Sequence, residues 1–291
     1  MIDTMSSLIR VPSSHGVQVA LHDFAGQGRS LLLSHATGFH GHCYVPVARA
    51  LADVAHSYAL DYRGHGLTET SPDWETDWEA YGDDVTAVAE YLRSHSDRPL
   101  IGFGHSMGGA GLLMAAYRNP DLFDAIIAFE PIVFPPPEPG AEVTDPHSSP
   151  LVQGATRRRA RFGSYEEAIA NFSAKPPMRT FTPEAIRLYV EHGFAPDPDD
   201  PDGGVALRCA PEHEARTYMG GGMHRTWEVL PEITTKVLIL AGVADMPGPA
   251  TLAPQIAERL VNVEYLQSDE WDHFGPMVVP EVMAELIRAR L

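Results

Sequence analysis

Gly104-His105-Ser106-Met107-Gly108 sets one hydroxyl among small residues in the middle of the chain. The apolar run Leu100 to Phe103 before it reads as a buried strand, and Ala110 to Tyr117 after it as a helix with small residues on one side. A sharp strand-to-helix turn crowds its neighbours, and glycines at 104 and 108 leave room that a Cβ would take. Ser106 is then the apex of the turn, its side chain thrust outward. A serine hydroxyl is a weak nucleophile alone, so covalent chemistry there demands an imidazole base held by a carboxylate. His273, in SDEWDHFGP, follows the last strand and precedes the last helix. Two carboxylates fall at predicted strand ends: Asp245 in AGVAD and Glu130 in AFEPI. Asp245 is preferred, because it follows the strand KVLIL at the carboxyl edge, and Ser, Asp, His is the chain order that goes with G-x-S-x-G. Glu130 is the alternative acid, or else a buried group that tunes the site.

Such chemistry needs donors for a developing oxyanion. The amide of Met107 lies at a helix N-terminus, where N–H groups lack intrahelical partners. A second donor is expected from the loop after an early strand, SHATGFHG at residues 34 to 41. Thr37 N–H is the candidate, with Gly38 or Phe39 as alternatives.

The elements that must position these groups alternate. Val17 to Phe24, Ser30 to Leu33, Ser57 to Leu60, Leu100 to Phe103 and the run DAIIAF read as strands, and Ala80 to Arg93 as a helix. Short apolar strands alternating with helices indicate a mainly parallel sheet covered on both faces. In such a sheet Ser106, Asp245 or Glu130, and His273 all fall at the carboxyl edge. The rhythm breaks from Phe134 to about Arg225 and resumes with KVLIL at 236 to 240, a helix from Pro249, a strand to Leu266 and a helix from Pro280. The expected division is a core of 1–133 and 226–291, with a mostly helical cap of 134–225 between two strands.

Bulk properties bound the partners. The chain has 291 residues and a formal net charge of −18, which argues against nucleic acid. No stretch approaches a membrane span, and the N-terminus lacks a signal-peptide pattern. With two cysteines in no CxxC pair, a reducing, cytoplasmic setting is expected. The basic run Arg157 to Arg161 reads as the solvated face of a cap helix, and PDPDDPDGG as a surface loop. Aromatic and methionine residues of the cap, among them Phe172, Tyr189 and Tyr218, are candidates to line an apolar pocket. Gly220 to Gly222 reads equally as a hinge or a loose turn. His40 and His42 lack ligand-spaced partners and read as a polar loop near the site entrance, so neither metal nor organic cofactor is expected. A dinucleotide site at GFGHSMGG is disfavoured, because its third glycine would fall at Met107.

Taken together, His35-Ala36-Thr37-Gly38, Asp61-Tyr62-Arg63-Gly64-His65-Gly66, the Ser106 pentapeptide, Gly242-x-x-Asp245 and Asp272-His273-Phe274 resemble the ordered landmarks of the α/β-hydrolase superfamily. The likeness is to its capped, epoxide-hydrolase-like and C–C-hydrolase-like branch. The resemblance implies an eight-stranded, mostly parallel sheet, a cap after the sixth strand and a nucleophilic serine. It implies a structural role for Arg63 and His65, in a sharp turn beside the site. Relatives that open epoxides or displace halide carry aspartate at the elbow, so serine points instead to acyl transfer to water. Hydrolysis of an ester, lactone or thioester of a small to medium apolar acyl substrate is the expected activity. The alternatives are cleavage of a C–C bond in a β-diketone-like acid, or a non-catalytic binding role on the same fold.

Overall fold

The apolar runs of the sequence form one eight-stranded sheet in the computed structural model, which describes residues 7–71, 74–137, 140, 145–200 and 203–291. In chain order its first strands are β1 (Ser7–Pro12), β2 (Gln18–Gly26), β3 (Arg29–Ser34) and β4 (Ala55–Asp61). Then follow β5 (Leu100–His105) and β6 (Ala125–Phe129). Three short strands, β7 (Arg161–Phe162), β8 (Phe194–Pro196) and β9 (Val205–Leu207), precede β10 (Val237–Ala241) and β11 (Val263–Gln267). The large sheet runs β1-β2-β4-β3-β5-β6-β10-β11. Only the pairings made by β2 are antiparallel; all from β4 to β11 are parallel.

The central strands are apolar because both faces are covered. Every residue of β5 and β10 is buried, as expected where helices pack on either side of a parallel sheet. The helices are α1 (Val45–Ala50), α2 (Trp78–His95), α3 (Met107–Arg118), α4 (Pro150–Thr156), α5 (Tyr165–Ser173) and α6 (Pro183–Gly193). They continue with α7 (Pro211–Gly220), α8 (Thr226–Val229), α9 (Pro249–Arg259), α10 (Gly275–Val278) and α11 (Pro280–Arg288). One apolar cluster joins α2, α3 and α9 to one face of the sheet; a second joins α1 and α11 to the other. The second cluster runs on into Phe162, Phe172, Phe181 and Tyr189, which lie in the insert between β6 and β10.

Two features of the insert differ from the sequence expectation. It carries a three-stranded antiparallel sheet, β7-β9-β8, as well as helices. Strands of two and three residues are too short for any periodicity to show. Gly220 ends α7 against Trp78, where an added Cβ would lie 2.8 Å from the indole, so this glycine serves close packing. The edge strand β1 also went without a strand signal, since four of its six residues are exposed. Of the surface stretch PDPDDPDGG, Pro201 and Asp202 lie outside the described residues, as do Met1 to Ser6 at the N-terminus.

The DYRGHG segment is held by a buried ion pair. Arg63, fully buried, donates from Nε to Asp84 Oδ2 at 2.9 Å and from Nη2 to Oδ1 at 2.6 Å, and Ser14 Oγ accepts a further bond at 3.0 Å. Removing one partner of such a pair strands a charge in a low-dielectric interior. Asp84→Ala is therefore expected to lower unfolding free energy by about 3–5 kcal/mol, read from the urea midpoint.

Candidate active site

The register of neighbouring strands brings the site together. Ser34 pairs with Gly104 and His105 with Phe129, so the loop after β3, the turn after β5 and the residue after β6 share one edge. Ser106 occupies the turn between β5 and α3 with φ +58° and ψ −116°, a region side chains rarely enter. The flanking glycines explain how it is tolerated: a Cβ on Gly104 would meet Gly108 O at 2.5 Å, and one on Gly108 would meet Ser34 O at 2.0 Å. The turn is pinned by Ser106 N donating to Phe129 O at 2.9 Å and by Gly109 N donating to Ser106 O at 3.0 Å.

His273 sits in the turn before α10, and its Nδ1–H donates to Glu130 Oε2 at 2.5 Å. Glu130 is 1 % exposed and follows β6 with φ +46°, a second strained non-glycine residue at the same edge. Its other oxygen accepts from Gly242 N at 2.8 Å, so both oxygens are engaged and the carboxylate is fixed. The residue before Glu130, Phe129, accepts from Ser106 N through its carbonyl, which ties the carboxylate-bearing strand to the apex. No hydrogen bond joins Ser106 Oγ to His273 Nε2; such contacts are often long until substrate binds. Ser106 itself is buried, at 6 % exposure.

Asp245, the preferred acid in the sequence, is not brought to His273. It is exposed, in the loop between β10 and α9, and makes neither hydrogen bond nor ion pair with the imidazole. The reason lies in Gly242. Its amide turns to Glu130, and the following amide of Val243 donates to Trp271 O at 2.9 Å. A Cβ on Gly242 would meet Trp271 O at 2.4 Å, so the glycine lets the His273 segment close over the end of β10. The chain then leaves the edge before it reaches Asp245. A carboxylate directly after an apolar strand, next to the strand that leads into Ser106, is the signal that points to Glu130.

Thr37 lies beside the elbow, its Oγ1 3.5 Å from Met107 Sδ. Ala36 to Phe39 form a turn closed by Phe39 N donating to Ala36 O at 3.1 Å, with Gly38 at φ +78°. Two histidines brace it. His35 Nε2 accepts from Tyr62 N at 3.0 Å, which leaves Nδ1–H to donate to Ala36 O at 2.8 Å. Tyr44 OH accepts from Ala36 N at 3.2 Å and bonds His105 Nδ1 at 2.8 Å. Met107 N, the first amide of α3, has no intrahelical carbonyl to bond. A carbonyl oxygen seated between this turn and the elbow would face both loops from which donors were expected.

His40 and His42 do not form an entrance loop. His40 is buried, with Nε2 3.1 Å from Tyr189 O, and the His42 ring stacks on His192 at 3.7 Å. Burial lowers the pKa of His35, His40 and His213 to about 4 each. Because folded values below 6.5 keep these rings neutral, the unfolded chain binds more protons between about pH 4 and 6.5. Stability is then fully present above pH 6.5 and falls as pH drops toward 4. From pH 7 to pH 5 the loss is expected to be on the order of 1–2 kcal/mol for each histidine, read as a falling urea midpoint.

The insert forms the wall facing this edge. A cavity of about 400 Å³ lies between Phe39, Phe274 and insert residues that include Phe172, Met178, Tyr189, Glu214 and Tyr218. Of its walls, Phe39 follows Gly38 and Phe274 follows His273 in the chain. Glu214 of α7 closes on the turn: a Cβ on Gly38 would meet Glu214 Oε1 at 2.6 Å. The basic run is largely solvated, as expected for Arg157, Arg159 and Arg161, but it does not lie on a helix face. Arg157 and Arg158 follow the end of α4, and Arg161 opens β7. Arg158 reaches Glu214 Oε1 at 2.9 Å and donates to Tyr189 OH at 2.9 Å.

Sheet order, the strained serine between strand and helix, and the engaged histidine–carboxylate pair define an α/β-hydrolase. The chain belongs to the family described as serine aminopeptidase, S33, whose profile matches residues 30–193. A 2-(acetamidomethylene)succinate hydrolase of Mesorhizobium japonicum is 26% identical over 270 residues, covering 90% of this chain and 87% of the relative. A pimeloyl-[acyl-carrier protein] methyl ester esterase of Chromobacterium violaceum is 27% identical over 149 residues, 51% of this chain and 54% of the relative. Among solved structures, E-2-(acetamidomethylene)succinate hydrolase superposes with a TM-score of 0.75 at 22% identity, covering 98% of each chain. Among the described residues no helix is long and apolar enough to cross a membrane.

Proposed function

We propose that the protein hydrolyses a carboxylic ester, lactone or thioester of a small to medium acyl substrate through an acyl-enzyme on Ser106. The observation that carries this is the Glu130–His273 hydrogen bond, beside Phe129, whose carbonyl accepts from the amide of a serine held at φ +58°. In this reading His273 Nε2 takes the Ser106 proton as Oγ attacks the carbonyl carbon. Glu130 holds the ring with Nδ1 protonated and stabilises the imidazolium. The amides of Met107 and Thr37 receive the oxyanion. His273 then protonates the leaving group, and water repeats the steps to free the acid. Residues 134–225 act as a cap over a core of 1–133 and 226–291, excluding water and shaping the acyl pocket. The setting is cytoplasmic and the partner a small molecule, not nucleic acid.

Support comes also from the relatives, one named as a 2-(acetamidomethylene)succinate hydrolase and one as an esterase of a methyl ester on an acyl-carrier protein. Because one of them is named for an acetamido-bearing acid, amides belong beside esters, lactones and thioesters in the substrate panel. The test is exposure to a fluorophosphonate followed by intact-mass and peptide analysis. One adduct on Ser106 is the expected result. An unmodified protein, or label on another residue, removes the proposal.

A further inference from the structure

The cavity beside the elbow has a charge that the whole protein does not. The chain is acidic overall, at −18, yet Arg157, Arg158, Arg159 and Lys175 all line this one cavity, with Glu214 as the carboxylate among its walls. Two of the four cations are already committed. Arg158 shares Glu214, and Arg159 pairs with Glu167 at 2.7 Å and lies over the Phe162 ring at 4.2 Å. The other two are not. Arg157 donates only to the neutral Gln153 Oε1, at 3.3 Å, and Lys175 to the neutral Asn171 Oδ1, at 2.5 Å. Among the described residues neither has a carboxylate partner.

Beside these charged groups the lining mixes apolar side chains with the polar Asn171, Tyr189 and Tyr218. Phe172, Met178, Phe39 and Phe274 line the same cavity, and Phe39 and Phe274 are the immediate chain neighbours of Gly38 and His273. A substrate reaching from the elbow into this space would meet the apolar side chains of Phe39 and Phe274 first and then the exposed, uncompensated cations Arg157 and Lys175 on the insert. Guanidinium and ammonium groups gain most from charge-assisted bonds to carboxylate or phosphate oxygens.

We infer that the cavity is an anion-selective substrate subsite, in which Arg157 and Lys175 bind a carboxylate or phosphate group carried by the substrate. This rests on the hydrolase reading of Ser106 and goes beyond it by naming the substrate's charge. It also assigns Arg157 and Lys175 a role in selecting substrate, not in bond cleavage.

The test compares two substrate pairs on wild type and on Arg157→Gln/Lys175→Gln. Mono-p-nitrophenyl glutarate is set against p-nitrophenyl butyrate, and butyryl-CoA against butyryl-N-acetylcysteamine. The expected result is a fall of about ten-fold or more in the charged-to-neutral ratio of kcat/KM, carried mainly by KM, for at least one pair. A fall confined to the glutarate pair puts the anion on the acyl chain. One confined to the CoA pair puts it on the leaving group's phosphates. Arg157→Lys/Lys175→Arg, which keeps both charges, is expected to restore most of the ratio and shows that the loss is not misfolding. An unchanged ratio on both pairs overturns the inference. Calorimetric titration of glutarate and of coenzyme A into Ser106→Ala protein, with and without the two Gln substitutions, decides the matter separately from turnover. Binding of either one that is lost with the substitutions supports the subsite even where wild type cleaves none of the four substrates, and binding of both that is absent or unaffected by them removes it.

Discussion

Ser106→Ala lowers kcat for p-nitrophenyl butyrate by about 10³-fold or more, with the fold retained. The size follows from the cooperative action of nucleophile, base and carboxylate: removing one member leaves only what substrate binding and the oxyanion donors supply. Alanine is also a clean probe of the backbone here. It keeps a Cβ at the φ +58° position that serine already occupies, so the turn's strain is unchanged and the two amides stay in place. Thermal midpoints of variant and wild type should agree within a few degrees. If turnover falls by less than ten-fold, attack comes from another group and the elbow is only a tight turn.

The elbow was legible because it is local. Five consecutive residues, a preceding apolar run and a following helix specify a strained apex, and Gly104 has its packing reason within the motif, against Gly108, although Gly108 itself is fixed by the distant Ser34. His273 was legible for a related reason, since a loop between the last strand and last helix must open at the carboxyl edge of a parallel sheet. The acid was not, because its identity is a matter of register between strands far apart in sequence. Phe129 pairs with both His105 and Leu240, which places Glu130 between the elbow and the end of β10. Nothing within AFEPI or AGVAD records that pairing. Of the Gly242-x-x-Asp245 landmark, the glycine amide meets Glu130, whereas the aspartate is exposed and makes no bond to His273. It is the missing Cβ at Gly242 that lets Trp271 and His273 close over the strand.

The insert was the least legible region, and for a physical reason. Its segments are short, and what fixes each residue is contact with a distant partner. Arg158 looks like any of the four arginines in a basic run, yet it alone lies on Glu214 and Tyr189. Charge counting assigns such a run to solvent, as is usual for an exposed face. Only the folding of α7 against the turn at Gly38 turns part of it into the wall of a cavity.

Glu130→Gln and Asp245→Asn separate the two candidate acids. Glu130 receives two N–H donors, one from His273 and one from Gly242. A carboxylate has an oxygen for each, whereas glutamine has one oxygen and an NH₂ group that must face one of the donors. Either the Gly242 amide loses its acceptor, or the NH₂ turns on His273 and favours the tautomer with Nδ1 unprotonated. That tautomer puts the proton on Nε2, where a base is needed. Glu130→Gln is therefore expected to cut kcat for p-nitrophenyl butyrate by about 10²- to 10⁴-fold, with KM little changed. Asp245 is exposed and bonds neither His273 nor Glu130, so Asp245→Asn should leave kcat within about two-fold of wild type. The reverse pattern, a large loss at 245 and a small one at 130, would show that the acid reaches His273 from the loop after β10 and that Glu130 serves only to hold Gly242. Equal large losses would mean that the loop after β10 closes on the histidine during turnover.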